Sequence, residues 1–389
     1  MKDLSEALNV RKQNKLYRSR QVVDGPQGVE TCIDGKTFLS FCSNDYLGLA
    51  NHPQVIAAFH KGLDEFGAGS GAAHLITGHS RAHHQLEEEL ADFVQRPRAL
   101  LFSTGYMANL GVMSVLSGHG DRVFQDRANH ASLLDGARLG GARLIRYKHC
   151  DTDDLDERMN TAPDAEYLVV TDGVFSMDGD IAPLTELAKI ASKYAAWLMV
   201  DDAHGLGVVG PDGRGTVAQA GLGIEQVPVL MGTLGKAFGC FGAFVAGSEE
   251  LVETLIQQAR TYIYTTAPPP AVAAATRAAL KLVREEAWRR ETLQAQVERF
   301  RAGAAQLGLS LLDSNTPIQP LIVGDAGVAL QYSEALREQG ILVTAIRPPT
   351  VPDGSARLRI TFSATHSEAH VDRLLDALGK TVGENHGDM

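Results

Sequence analysis

Short unbroken apolar runs alternate with amphipathic stretches along most of the chain. Leu198, Met199 and Val200 form one run, Val229, Leu230 and Met231 a second, and Arg98–Phe102 and 122–124 carry two more. Continuous runs of this length predict strands covered on both faces, the usual state of a parallel sheet. Between them the spacing turns helical. Leu86, Leu90 and Phe93 share a face over 81–94, and Leu4, Ala7 and Leu8 predict an amphipathic helix within the first twenty residues. Further helices are expected to open at Pro53, after Gly105 and at Pro183, where proline is tolerated in a first turn. From about residue 284 the pattern changes to a long charged helix containing Trp288, then strands over 318–323, 341–346 and 356–362 with helices around Leu330 and Val371. An α/β fold follows, with a large domain built on a mostly parallel sheet and a smaller C-terminal α+β domain. The expected division is an N-terminal helix and arm over 1–50, a large domain over 51–284 and a small one over 285–389.

Charge and cysteine content narrow the setting. The formal charge of -11 argues against general binding to nucleic acid or to an anionic membrane. Apolar runs such as AAWLMV fall well short of the roughly 20 residues that span a bilayer. Four scattered cysteines form no CxxC pair, and the first residues have no apolar signal region, so a cytoplasmic protein is expected.

The chemistry collects at strand ends. Asp201 and His204 leave the 198–200 run, and Thr233 and Lys236 leave the 229–231 run. Ligands of open α/β sheets bind outside the carboxyl ends of the strands. Lys236 stands among Gly235, Ala237 and Gly239, so a planar ligand can approach its amine. Burial there would lower its pKa and free the amine to attack an aldehyde. Pyridoxal phosphate suits such a set, with Asp201 on its ring nitrogen and His204 on its phenolic oxygen. Taken singly, these residues also suit helix caps and ion pairs; taken together they favour the cofactor. A phosphate-binding P-loop is excluded, because Leu230 and Ala237 occupy the positions of its first glycine and its hydroxyl residue. Ser103 to Tyr106 join a strand to a helix N-terminus, which would place Gly105 and Tyr106 at the cofactor phosphate.

A Gly- and His-rich segment over 66–93 lacks GxGxxG spacing and follows a helical stretch, so it is no dinucleotide fingerprint. His79 and His83 are spaced to chelate, but no acid or cysteine is grouped with them in sequence, and no metal is expected. The sequence leaves the roles of His74, His79, His83 and His84 open.

VDDAHG followed by GTLGKAFG resembles the α-oxoamine synthase family of fold-type-I pyridoxal-phosphate enzymes. The stretches SNDYLGL, NHASL and VFSMDGD, the last preceded by Asp172 where many members have Glu, match the family in order along nearly the whole chain. The resemblance implies that His130 stacks on the cofactor ring, that Ser176 contacts it, and that Asn44 lines the substrate pocket. It implies Arg359 on the amino-acid carboxylate, which suits a planar bidentate fork, and Arg18 and Thr350 as substrate contacts. It also implies a homodimer in which Thr265 and Thr266 reach the phosphate of the neighbouring subunit. The stretch AIRPPTVPDGSARLRIT is most similar to the branch that condenses L-alanine with pimeloyl-CoA or a pimeloyl-acyl carrier protein, with loss of carbon dioxide, on the way to biotin. The alternatives are a relative using glycine and acetyl-CoA, an aminotransferase, and a cofactor-binding protein without catalysis.

Overall fold

In the computed structural model, which describes residues 4–13, 16–162 and 165–386, the apolar runs meet at the centre of the molecule. Among the described residues they form a seven-stranded sheet in the order Arg98–Phe102, Ala243–Gly247, Val229–Thr233, Trp197–Asp201, Tyr167–Asp172, Arg122–Asp126, Arg143–Tyr147. Ala243–Gly247 runs antiparallel to both neighbours, and the remaining pairs are parallel. The expected mostly parallel sheet is therefore present.

Burial on both faces explains why these runs do not alternate. Leu198, Val200 and Leu230 join one apolar cluster, while their chain neighbours Met199, Val229 and Met231 join another on the opposite face. Ala108, Val112 and Leu133 of the helices Gly105–Leu116 and Ala131–Gly140 complete the second cluster, and Leu184 and Leu187 of Leu184–Lys193 contribute to the first. Each fully buried side chain of this kind contributes about 1.5–3 kcal/mol. Because six of the seven strands share one direction, the turns after them gather on one edge, and Thr104, His130, Gly173, Asp202 and Leu234 all leave there.

The C-terminal residues build a three-stranded antiparallel sheet, Ile318–Gly324, Ala356–Thr361, Thr344–Ile346. The single strand expected over 341–346 is two. Ile341–Leu342 pairs in parallel with Lys36–Ser40, whereas Thr344–Ile346 pairs with Ala356–Thr361, so the chain passes from one sheet to another at Val343. Alternation encodes burial and not the partner strand, which is why the break is invisible in sequence. Residues of the N-terminal arm and of the C-terminal region thereby share a sheet. The first helix is Leu4–Gln13 with no buried residue; residues 1–3, 14 and 15 of the helix expected there lie outside the described residues. Among the described residues no helix is long and apolar enough to cross a membrane.

The segment 41–50 holds the pieces in register. Thr361 N donates to Phe41 O at 2.8 Å and Ala364 N to Tyr46 O at 2.7 Å, fastening the segment to the C-terminal sheet. On its other side lies Gly239, three residues past Lys236, with φ +63° and no room for a Cβ, which would sit 2.3 Å from Ala50 N. Both the left-handed backbone and the backbone-to-backbone approach require glycine. Gly239→Ala is expected to separate the lysine loop from 41–50, costing at least about 1–3 kcal/mol. Denaturant titration checks this, and an unchanged midpoint would show that the approach is not needed.

Candidate active site

Lys236 extends from the turn after Val229–Thr233, and its Nζ lies 2.8 Å from His204 Nε2. His204 Nδ1 is 2.7 Å from Tyr46 Oη, and Tyr46 donates to Asn44 Oδ1 at 3.2 Å. Asn44 Oδ1 also accepts from both terminal nitrogens of Arg359, at 3.3 and 3.2 Å. One set of protons satisfies every link: the ammonium donates to Nε2, Nδ1–H donates to Tyr46, and Tyr46 donates to Asn44. A cationic amine and a cationic guanidinium thus bracket a run of neutral groups drawn from two parts of the chain, 44–46 and His204.

Burial sets the protonation of this run. It lowers Lys236 to about 8, an effect only partly opposed by Asp201 and Asp172. It takes His204 well below the ordinary imidazole range, with Lys236 and Arg359 adding to the effect, and raises Tyr46 to about 12. His204 is therefore neutral and Tyr46 keeps its proton at neutral pH. Arg359 also donates from Nε to Ser176 O at 2.6 Å, and its strand neighbour Arg357 pairs with Asp178. Neither arginine is solvated: Arg357 is 5% exposed and Arg359 8%.

A second network organises the opposite wall. Asp201 accepts from Asn109 Nδ2 at 2.7 Å and from Ala203 N at 3.1 Å. Asn109 also donates to Ser132 Oγ at 2.8 Å, and Ser132 Oγ lies 2.7 Å from His130 Nδ1. Ser132 spends its own proton on Nδ1, so His130 carries its proton on Nε2. Burial lowers His130 and keeps it neutral. The backbone N of His130 donates to Asp172 at 3.0 Å, and burial, then the nearby Asp201, raises Asp172 well above the carboxylate range.

These walls enclose a pocket of about 200 Å³. Of the residues singled out from sequence, Gly105, Tyr106, His130, Ser176, Asp201, His204, Thr233 and Lys236 line it, and Asn44 and Arg359 join it through Tyr46. Thr265 and Thr266 do not line it, and Thr266 is exposed. Arg18 and Thr350 line a separate groove of about 950 Å³ between the first helix and residues 344–350. Tyr46, Asn109 and Ser132 were missed. A polar Asn within the apolar run of a helix was a usable signal for Asn109. Tyr46 and Ser132 lie inside the stretches SNDYLGL and NHASL, which mark the segments without singling out these side chains, and an aromatic next to a strand looks like core.

The residues fit pyridoxal phosphate. A buried amine stands near a carboxylate held by two donors, and a twelve-residue helix capped by Thr104 begins at the rim. Asn109 Oδ1 and Asp172 Oδ1 are buried without a hydrogen-bond partner in the described structure, which marks a cavity suited to a polar occupant. Lys236 would hold the aldehyde carbon, Asp201 the ring nitrogen, and the helix start at Gly105 and Tyr106 the phosphate.

Comparison with known proteins agrees with this geometry. The family model for aminotransferase class I and II matches residues 36–378. The 8-amino-7-oxononanoate synthase of Nitrosococcus oceani is 66% identical over 95% of this chain and 98% of its own. That of Thioalkalivibrio sulfidiphilus is 62% identical over 98% of both chains. The solved structure of SPT with PLP superposes with a TM-score of 0.93 at 32% identity, covering 100% of each chain.

The lowered lysine has a kinetic consequence. Below about 8 the Lys236 amine carries a proton and cannot attack, and above it the lone pair is free. Capture of pyridoxal phosphate by the cofactor-free protein, followed by visible absorbance in a stopped-flow mixer, should accelerate as pH rises through about 8 and then level off. A rate independent of pH through that range contradicts the assignment.

Proposed function

Because the chain belongs to the aminotransferase class I and II family, and within it to the 8-amino-7-oxononanoate synthases, we propose that it condenses L-alanine with a pimeloyl thioester. The products are 8-amino-7-oxononanoate, carbon dioxide and the free thiol, in a step of biotin biosynthesis. The observation that carries this assignment to the site is the hydrogen-bonded run from Lys236 to Arg359, which sets a base and a carboxylate fork around one small pocket.

Pyridoxal phosphate, when bound, supplies the electron sink for the bonds made and broken at the alanine α-carbon. Arg359 binds the alanine carboxylate with its fork, and its contacts to Asn44 and Ser176 fix the plane of the guanidinium. Lys236 Nζ removes the α-proton, and a pKa near 8 lets the same amine accept and return a proton near neutral pH. Asp201, oriented by Asn109 and Ala203 N, holds the ring-nitrogen proton. His204 has two usable states. With its proton on Nδ1 it accepts from Lys236, and with the proton on Nε2 it would donate to the phenolic oxygen of a bound cofactor while Tyr46 donates to Nδ1. His130 would stack on the bound ring, and its Nε2–H would be offered to the thioester carbonyl, where negative charge develops as the alanine α-carbon attacks. Loss of the thiol and then of carbon dioxide leaves a carbon that Lys236 reprotonates.

In this scheme residues 51–284 hold the cofactor, 285–389 deliver Arg359 and Thr350, and the arm 1–50 brings Asn44 and Arg18. The groove between Arg18 and Thr350 receives the pimeloyl group, carried by CoA or by acyl carrier protein. Thr265 and Thr266 complete the phosphate site of a second subunit in a homodimer, which is supported by their position outside the pocket of their own chain and by exposed Tyr264 and Phe241. The enzyme acts in the cytoplasm, in keeping with its four free cysteines.

Incubation with L-alanine and pimeloyl-CoA, followed by mass spectrometry and carbon dioxide detection, should give 8-amino-7-oxononanoate. Turnover with glycine and acetyl-CoA alone would reassign the substrates while keeping the chemistry. Arg359→Ala removes hydrogen bonds to a charged group worth about 1.5–3 kcal/mol. It should therefore raise the KM for alanine roughly 10- to 150-fold and leave the KM for the thioester near its original value. An equal rise in both would show that Arg359 does not bind the alanine carboxylate.

A further inference from the structure

The histidine-rich segment lies outside the pocket just described, and the structure supplies the acid that the sequence failed to group with it. His74–Gly78 forms one π-helical turn, and Ser80 then caps the helix Arg81–Phe93. His83 is consumed structurally: its Nδ1 accepts from Ser80 N at 3.1 Å and its Nε2 donates to Pro268 O at 2.8 Å. His79, His84 and Glu87 differ. Their donor atoms lie within 4.8 Å of one another, and His79 Nε2 is already 3.8 Å from Glu87 Oε2.

Among the described residues no lysine or arginine forms an ion pair with Glu87. Its side chain is 13% exposed, and its Oε1 accepts from Leu101 N at 2.9 Å. Arg98 is within electrostatic reach, yet its guanidinium pairs with Glu249 and Glu253. Burial raises Glu87 to about 7, opposed in part by the Leu101 N–H and Arg98, so a cation joining it at neutral pH has at most a loosely held proton to displace. His79 is oriented as metal-bound imidazoles are, with the ring nitrogen turned away from the acid held by another group: its Nδ1 lies 3.1 Å from His74 Nδ1. Burial lowers His79 to about 4, so its lone pair is not taken by a proton at neutral pH. His84 is 60% exposed and stands one helical turn before Glu87; its Nε2 lies 3.5 Å from Glu88 Oε1, an exposed contact that it would give up to turn toward Glu87.

We propose that His79, His84 and Glu87 bind a divalent transition-metal ion such as zinc, with water in the fourth position. Two imidazoles and one carboxylate are a known zinc donor set, and they disfavour magnesium and calcium, which prefer oxygen ligands alone. Tetrahedral donors around zinc sit about 3.3 Å apart, so closure asks for a small movement, mostly by the exposed His84. The ion would pin the 74–80 turn to the helix behind it. That turn borders the residues that brace 267–268: Ser70 Oγ donates to Ala267 O and Pro268 O at 2.7 and 2.6 Å, and Ala267 N donates to Ala72 O at 3.0 Å. Thr265 and Thr266 immediately precede this braced stretch.

The test is a zinc titration of the full-length, pyridoxal-phosphate-loaded protein against a chromophoric chelator, in parallel with His84→Ala and Glu87→Gln. His84 is exposed, and Gln retains the acceptor for Leu101 N, so both variants should fold and keep their visible spectrum. One tightly held equivalent of zinc in the parent protein is expected, weakened at least about tenfold in each variant. Zinc retained equally by all three proteins would place the ion elsewhere, for example at Asp126, His149 and Cys150, and would overturn the proposal. So would the absence of saturable binding in the parent protein.

Discussion

A lysine amine removed from water, 2.8 Å from an imidazole, is the interaction around which the site is arranged. Burial makes the charged amine expensive and brings its pKa to about 8. The same burial keeps His204 neutral and Tyr46 protonated, so the two can pass a hydrogen bond in either direction. None of these properties belongs to one residue. Exposing any member would let water compete for its partner and loosen the next link.

The fold creates that environment by converging three kinds of strand end. Parallel strands covered on both faces bring Asp201, His204 and Lys236 to one edge of the large sheet. The antiparallel C-terminal sheet presents Arg359, and residues 41–50 fill the space between, hydrogen-bonded to one and packed against Gly239 of the other. Gly179 adds a second weld: its φ is 73° and a Cβ there would sit 2.4 Å from Ile318 O, so the turn carrying Ser176 rests directly on the C-terminal sheet. Glycine at these contacts lets backbone approach backbone.

Much of this was legible in the sequence because two-faced burial leaves continuous apolar runs, and the chemistry follows directly after them. Lys236, His204 and Asp201 were found in that way, and the family resemblance added His130, Ser176, Asn44 and Arg359. What escaped depended on partners distant in the chain. Tyr46 meets His204 across 158 positions, Asn109 meets Asp201 across 92, and Glu87 meets His79 only because the π-helical turn folds back over the following helix. The break at Val343 escaped for a related reason, since local alternation cannot name the sheet that a strand joins. Thr265 and Thr266 lie away from the pocket of their own chain, so only the resemblance gave them a role.

Whether the amine and the guanidinium act as one unit can be measured with a double-mutant cycle on L-alanine binding, followed by the change in the cofactor's visible spectrum. Tyr46→Phe breaks the run in its middle, Arg359→Lys replaces the fork at its end, and the double variant closes the cycle. Residues in one hydrogen-bond network couple by about 0.5–3 kcal/mol, so the two losses should fall short of adding by at least the lower figure. Losses in affinity that simply add would contradict a hydrogen-bonded run from Lys236 to Arg359 that works as a unit.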